Sequence, residues 1–582
     1  MGCKLSIFAS SNTQSNTAYP QRLKVSDDKL NQSQTTRFVE NCLIVLLADQ
    51  TSIEEENLLK QLRHVISALR IFTDSDACFT FINYIHVEKI FLVISPEYKK
   101  FIDRIHHLLQ ILKVYVFDPK IQMLNNIHDP IVQPNIFRNS TDLCNQLRED
   151  RELFELDYVA IKTVPPLCSD EVALKCKASF LLVQYMRGVV IRYKFENDAK
   201  DRFVEFCRIH YADNDEQLCE IDKFDRTYRP QNALYWLTRN TFVSRIFNRI
   251  QHTLEIDLQY KISFITKHIH VQLAHYSDQN DSSSKETSWS FYRGKTMLQH
   301  EFDAFLRNSS DGLLSFSWFI MAKRNKNVAI DLLHRLITVN PQRIAILFEI
   351  YIDTTKHVIS PFALLENNDH EDHSKKDDIC FTIGTVFRIQ STEQVNEFSI
   401  EMWQVKLILV DDSDSQLFHL VEPLRNNDIQ TNPLAYAGRL LVEMGDFDRA
   451  EQFYLQILLD PSVLNQPRRS CRIQTALGSV FTLKNEFNKA LEHYQQALKA
   501  SLSCLPPNHP DLMPIHSAIG DCYYKTGNYL LALQSYERAA QLIQPNMQSI
   551  DQQTLDDLNN HIVNTRKHLN SSAWRDTVQF SV

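Results

Sequence analysis

Four columns of residues recur in step through the last third of this 582-residue chain. Gly438, Gly478 and Gly520 form one, and Phe447, Phe487 and Tyr529 the next. Ala450, Ala490 and Ala532 form the third, and Tyr454, Tyr494 and Tyr536 the fourth. Every column advances by 40 and then 42 residues. A fixed period of this length means one small unit used three times, because a pair of helices cannot bury its apolar face alone and needs its neighbour. The residue types suit two helices per unit: a small residue where the helices cross, an aromatic shortly after the turn, then Ala and a second aromatic on one face of the second helix. Met444-Gly445-Asp446, Lys484-Asn485-Glu486 and Thr526-Gly527-Asn528 each supply a residue that tolerates φ > 0, so each is read as the turn inside a pair. Residues 430–545 are expected to hold about three pairs, with a C-terminal helix and tail over 546–582.

This pattern resembles tetratricopeptide repeats. The extended spacing, with Leu505-Pro-Pro-Asn-His-Pro510 in the long connection, resembles the kinesin-light-chain type. The resemblance implies an all-α solenoid whose concave groove takes a peptide or another protein.

Glycine is otherwise scarce, at 10 in the whole chain with five of them between Gly438 and Gly527. Phosphate-cradling loops need closely spaced glycines, and neither GxGxxG nor GxxxxGK[ST] occurs. That argues against P-loop NTPases, protein kinases and glycine-fingerprint dehydrogenases. Lys and Arg number 62 against 71 Asp and Glu, a net charge of −9 spread along the chain, so no basic patch invites nucleic acid. The twelve cysteines are scattered without a CxxC spacing, and the longest apolar run, Cys42 to Ala48, is too short to span a bilayer. A cytoplasmic protein with reduced thiols and no metal is the expectation. Met1-Gly2-Cys3-Lys4-Leu5-Ser6 fits the pattern in which Gly2 is myristoylated, and Cys3 is the candidate for the second acyl chain that stable anchoring needs. Attachment to the cytosolic face of a membrane follows from that reading, with 1–38 as a disordered tail.

Strand-like runs at Cys42–Ala48, Lys89–Ser95 and Val114–Phe117, with a helical pattern from Ile53 to Ala68, predict an α/β domain with a parallel sheet over 39–150. Residues 165–276 read as a helical region, in which Phe203, Phe206, Tyr211, Phe224, Tyr228, Tyr235, Trp236, Phe242 and Phe247 are expected in a core. His268 and His270 are two apart and on a helix cannot share a metal. Ser277 to Ser288 is a polar linker, and β-like runs follow to about residue 415.

That last region carries Phe291-Tyr292-Arg293-Gly294, then Leu313-Leu-Ser-Phe-Ser-Trp-Phe-Ile-Met-Ala-Lys-Arg-Asn-Lys-Asn-Val-Ala329, and Arg343-Ile-Ala-Ile-Leu-Phe-Glu-Ile350. Asp377-Asp-Ile-Cys-Phe-Thr-Ile-Gly-Thr-Val-Phe-Arg388 and Trp403-Gln-Val-Lys-Leu-Ile-Leu409 complete the order. It resembles the arginine-specific mono-ADP-ribosyltransferases of the Arg-Ser-Glu class. With the Phe224-Asp-Arg-Thr-Tyr-Arg229 region and the repeats, it resembles the transferase–repeat fusions of bdelloid rotifers. The fold class so implied is multi-domain: α/β, then an α+β ADP-ribosyltransferase-like catalytic domain over 277–415, then an all-α tetratricopeptide solenoid.

The family resemblance implies an NAD(P)+-protein-arginine ADP-ribosyltransferase with NAD+ as co-substrate and a protein as acceptor. An arginine grips the pyrophosphate, a Ser-Thr-Ser strand orients the nicotinamide ribose, and a Glu-x-Glu loop offsets the charge of an oxocarbenium-like state. Arg293 matches the first element, and Arg293, Tyr292 and Gly294 are the NAD-binding candidates. Met321-Ala322-Lys323 stands where Ser-Thr-Ser belongs, the nearby Ser315 and Ser317 being out of register. Lys376-Asp377-Asp378 stands in the Glu-x-Glu place, so Asp378 replaces the catalytic Glu and Lys376 the Glu that engages the acceptor. Two functions remain open: an altered transferase, or an inactive transferase-fold scaffold that binds partners through its repeats.

Overall fold

The computed structural model describes residues 39–49, 56–105, 107–119, 136–157, 160–165, 171–192, 198–253, 255–280, 287–307, 309–356, 358, 360–365, 378–398, 400–411, 413–425, 433–458, 463, 466–543 and 552–579. Gly2, Cys3 and Lys376 lie outside them. The chain divides into two compact units, one holding Leu30–Ser169 and Val183–Leu420, the other Asp170–Leu182 and Val421–Val582.

The larger unit opens with five parallel strands, β1 (Cys42–Leu47), β2 (Leu69–Phe72), β3 (Lys89–Ile94), β4 (Ile111–Phe117) and β5 (Ile136–Phe137), in the order β2-β1-β3-β4-β5. The unbroken apolar run of β1 has a physical reason. Cys42, Ile44 and Leu46 face one core with α1 (Glu56–Val65), while Leu43, Val45 and Leu47 face another with α2 (Ser75–Tyr84). A parallel sheet covered on both faces has no polar side to alternate with. Asp74 caps α2 by accepting from the Ala77 amide at 2.9 Å. Strand β2 was not expected from its four residues. α3 (Ser140–Asp157) closes this part, packing Leu143 and Leu147 beside α1.

After β6 (Ile161–Val164) come α4 (Glu171–Arg192), α5 (Ala199–His210), α6 (Asp215–Thr227), α7 (Phe242–Thr253) and α8 (Ile256–Asn280). Seven of the nine aromatics noted in the sequence are buried in one cluster, and Phe206 and Tyr235 pack against it half-buried. The cluster continues into Trp318, Phe319 and Cys380, which seats the helical region on the following sheets.

Among the described residues those sheets are two. β7 (Ser288–Met297), β8 (Leu313–Phe316), β10 (Ile344–Asp353), β13 (Val386–Glu397) and β14 (Ile400–Leu409) join β6 in the order β6-β8-β13-β14-β10-β7. β9 (Ile320–Ala322), β11 (Phe362–Leu365) and β12 (Asp378–Phe381) form the order β11-β12-β9. Pairing is antiparallel throughout except between β10 and β14. The six-stranded sheet thus draws a strand from 161–164, ahead of the helices and outside the 277–415 segment.

Among its described residues the smaller unit holds three helix pairs: α10 (Pro433–Glu443) with α11 (Phe447–Leu458), α12 (Pro467–Leu483) with α13 (Phe487–Leu502), and α14 (Met513–Lys525) with α15 (Tyr529–Gln541). A long α16 (Gln552–Gln579) follows, its Leu558 buried with Ala532 and Tyr536. The helix between, α9 (Lys326–Val339), belongs to the larger unit and covers the outer face of β7 and β10.

Candidate functional site

Strand β7 sorts its side chains by parity, as every strand does. Gly294 meets the helix α9: a Cβ there would lie 2.8 Å from the Ala329 carbonyl oxygen and 2.8 Å from Leu333, so only glycine fits. Tyr292 shares that parity. Its backbone exchanges two hydrogen bonds with Lys323, at 2.7 and 2.8 Å, which ties the edge of the larger sheet to the residue after β9. Its hydroxyl donates to Glu349 at 3.4 Å, and burial beside that carboxylate pushes the phenol pKa up.

Arg293 and Lys295 take the opposite parity and meet the end of α3. Lys295 donates to the Asp157 carbonyl at 2.9 Å, and Arg293 Nη2 donates to the Leu156 carbonyl. Two cations on the last carbonyls of an 18-residue helix suit the negative end of its dipole. Arg293 Nη1 donates to Met321 O at 3.3 Å, and its Nε is buried without a partner. Burial pushes the guanidinium pKa down, against the pull of Asp157 and Asp378.

Asp378, the first residue of β12, is buried and accepts from Lys323 Nζ at 2.5 Å. Register explains the meeting: β12 runs antiparallel to β9, with Ile379 opposite Ala322, so the first residue of one strand and the residue after the other come together. Tyr292, Arg293, Gly294, Met321, Ala322, Lys323 and Asp378 therefore gather in one corner. Ser315 lies elsewhere, in β8, accepting from Gln184 at 3.2 Å, and the Ser317 hydroxyl is buried without a partner. His268 meets the Tyr228 hydroxyl and His270 the Thr382 hydroxyl, each at 2.8 Å. Among the described residues no group of His, Cys, Asp or Glu is placed to hold a metal.

The corner does not fit NAD+ as it stands. Both terminal nitrogens of Arg293 are given to main-chain carbonyls, and Asp378 is answered by an internal cation. Sequence reading placed Lys323 in a motif without giving it a partner. It missed the end of α3 altogether, since Leu156 and Arg293 are 137 positions apart.

In the repeats, the glycine and tyrosine columns are two halves of one contact. A Cβ on Gly478 would stand 2.6 Å from the Tyr494 ring and one on Gly520 2.6 Å from Tyr536, and Gly438 meets Tyr454 in the same way. The three turns carry φ of +78° at Gly445, +61° at Asn485 and +79° at Gly527. Lys484 bonds to Asp448 at 2.7 Å and Glu451 at 2.6 Å, joining the first pair to the second.

A family model described as tetratricopeptide repeat matches residues 469–544, the second and third pairs. No curated protein matches the chain. Among solved structures it is similar to BtubC (BKLC) from P. vanneervenii, at 19% identity and a TM-score of 0.23, over 27% of this chain and 63% of that one. It is also similar to Plx2a, an ADP-ribosyltransferase toxin from Paenibacillus larvae, at 12% identity and 0.23, over 36% and 96% of the two chains. The ADP-ribosyltransferase Vis, solved with an inhibitor, gives 14% identity and 0.16, over 39% and 90%. The chain thus spans under two thirds of BtubC and most of the two transferases.

Proposed function

We propose that this chain is a partner-binding protein, whose helix pairs stack as a solenoid and hold a peptide of another protein, and which also carries an ADP-ribosyltransferase-like domain of reduced chemistry. The reading rests on the glycine–tyrosine contact, made three times at steps of 40 and 42 residues, the second and third of them in the segment that the repeat family matches. Panning a peptide library on the full-length chain tests it. Peptides enriched on the wild type and lost with Gly478→Ala plus Gly520→Ala are expected; enrichment indifferent to both changes refutes it.

A second reading is favoured by one observation: Asp378 keeps a buried carboxylate in the corner that holds Arg293. On this reading NAD+ enters only when Lys323 swings off Asp378, and the chain then transfers ADP-ribose slowly to a protein side chain, arginine in the first instance, with the released carboxylate offsetting the ribosyl cation. Nicotinamide release by the full-length chain, abolished in Asp378→Ala, is the expected result; release equal in both sinks it. Acylation at Gly2 and Cys3 would hold either activity at a cytosolic membrane face, and Gly2→Ala is then expected to move the protein into the soluble fraction.

A further inference from the structure

The lysine that answers Asp378 is the more exposed of the two partners. Lys323 leaves 35% of its side chain exposed, against 7% for the aspartate. Its backbone is fixed by the paired hydrogen bonds to Tyr292, so the side chain is the part free to swing. Arg293, whose charge also reaches Asp378, is committed to the Met321 and Leu156 carbonyls. The ammonium therefore rests on the carboxylate face that an entering cation would need, and such a guest must first part a pair in 2.5 Å contact.

We propose that Lys323 is an internal counter-ion that keeps cationic guests, the positively charged nicotinamide ring of NAD+ among them, off Asp378, and that removing its charge turns the corner into a cation site. The inference rests on the transferase-like reading of this corner. It differs from that reading in assigning the block to one side chain and to charge rather than to shape.

Calorimetric titration of the full-length chain with NAD+, and separately with NADH, whose ring carries no charge, tests it. The wild type and Lys323→Arg are expected to take NAD+ weakly. Lys323→Ser and Lys323→Gln are expected to bind it at least roughly ten-fold more tightly, with little gain for NADH, and a second change Asp378→Asn to abolish the gain. Wild-type NAD+ binding as tight as that of Lys323→Ser overturns the proposal. So does an equal gain for both nucleotides, since the lysine is then a steric obstacle. If no variant with a wild-type circular dichroism spectrum binds either nucleotide, the transferase-like reading falls with it, which separates the two failures.

Discussion

Gly478 shows how much one missing carbon decides. Its helix lies so close to the Tyr494 ring that a methyl group would sit 2.6 Å from it, well inside van der Waals contact. Gly478→Ala is expected to cost about 1–3 kcal/mol, the usual penalty of overpacking, measured by thermal unfolding. Pairing it with Tyr494→Leu should recover part of that loss, whereas two unrelated substitutions would add. At His270 the issue is charge. Burial, with Arg187 nearby, lowers its pKa to about 4 from an ordinary 6.5. The unfolded chain then takes up a proton in a range where the folded chain does not, so the contribution is complete above about 6.5 and is lost as pH falls toward about 4. Burial lowers His268, His493 and His516 in the same direction. Urea midpoints should fall between those pH values, and His270→Gln should flatten the slope without removing it.

At the scale of elements, α3 sets the candidate corner as much as the strands do. Its last residue, Asp157, accepts from the Thr296 amide at 2.5 Å and the Thr296 hydroxyl at 2.6 Å, while its carbonyl receives Lys295. The helix end and β7 are thereby locked together, and with them Arg293. Asp157→Ala leaves a buried amide and hydroxyl without acceptors and is expected to cost about 1–3 kcal/mol, read from denaturant unfolding, with Asp157→Asn losing less. None of this was legible in the sequence. The amphipathic pattern of α3 gives no sign that its end meets a strand nearly 140 positions later. The repeat helices are the opposite case, because period, turn residues and close-crossing glycines all act within 42 positions.

For the whole molecule, two compact units are each packed within themselves, and unfolding is expected in two steps rather than one. Phe291, fully buried among Phe316, Phe348 and Phe387, anchors the larger unit, and Phe291→Ala should lower that unit's transition by about 3–5 kcal/mol. Gly520→Ala should instead lower the transition of the unit that holds the repeats. A single transition that both substitutions shift equally would contradict this. The six-stranded sheet also draws residues 161–164 to its edge, so a fragment starting at 277 lacks a strand that a fragment starting before 161 keeps.

What the sequence determined by itself is whatever repeats or alternates locally. The three helix pairs, their left-handed turns and the parallel sheet behind Cys42–Leu47 all follow from spacing and side-chain type, since their contacts lie within one or two elements. It also put Arg293, Lys323 and Asp378 in motif positions. What they do to one another depends on how the strands and helices pack in three dimensions. β9 pairs with β12 so that a lysine reaches an aspartate 55 positions away, and α3 ends where it can take one of the arginine's hydrogen bonds. Charge pairing acts through space, and sequence separation carries no information about which charges will share it.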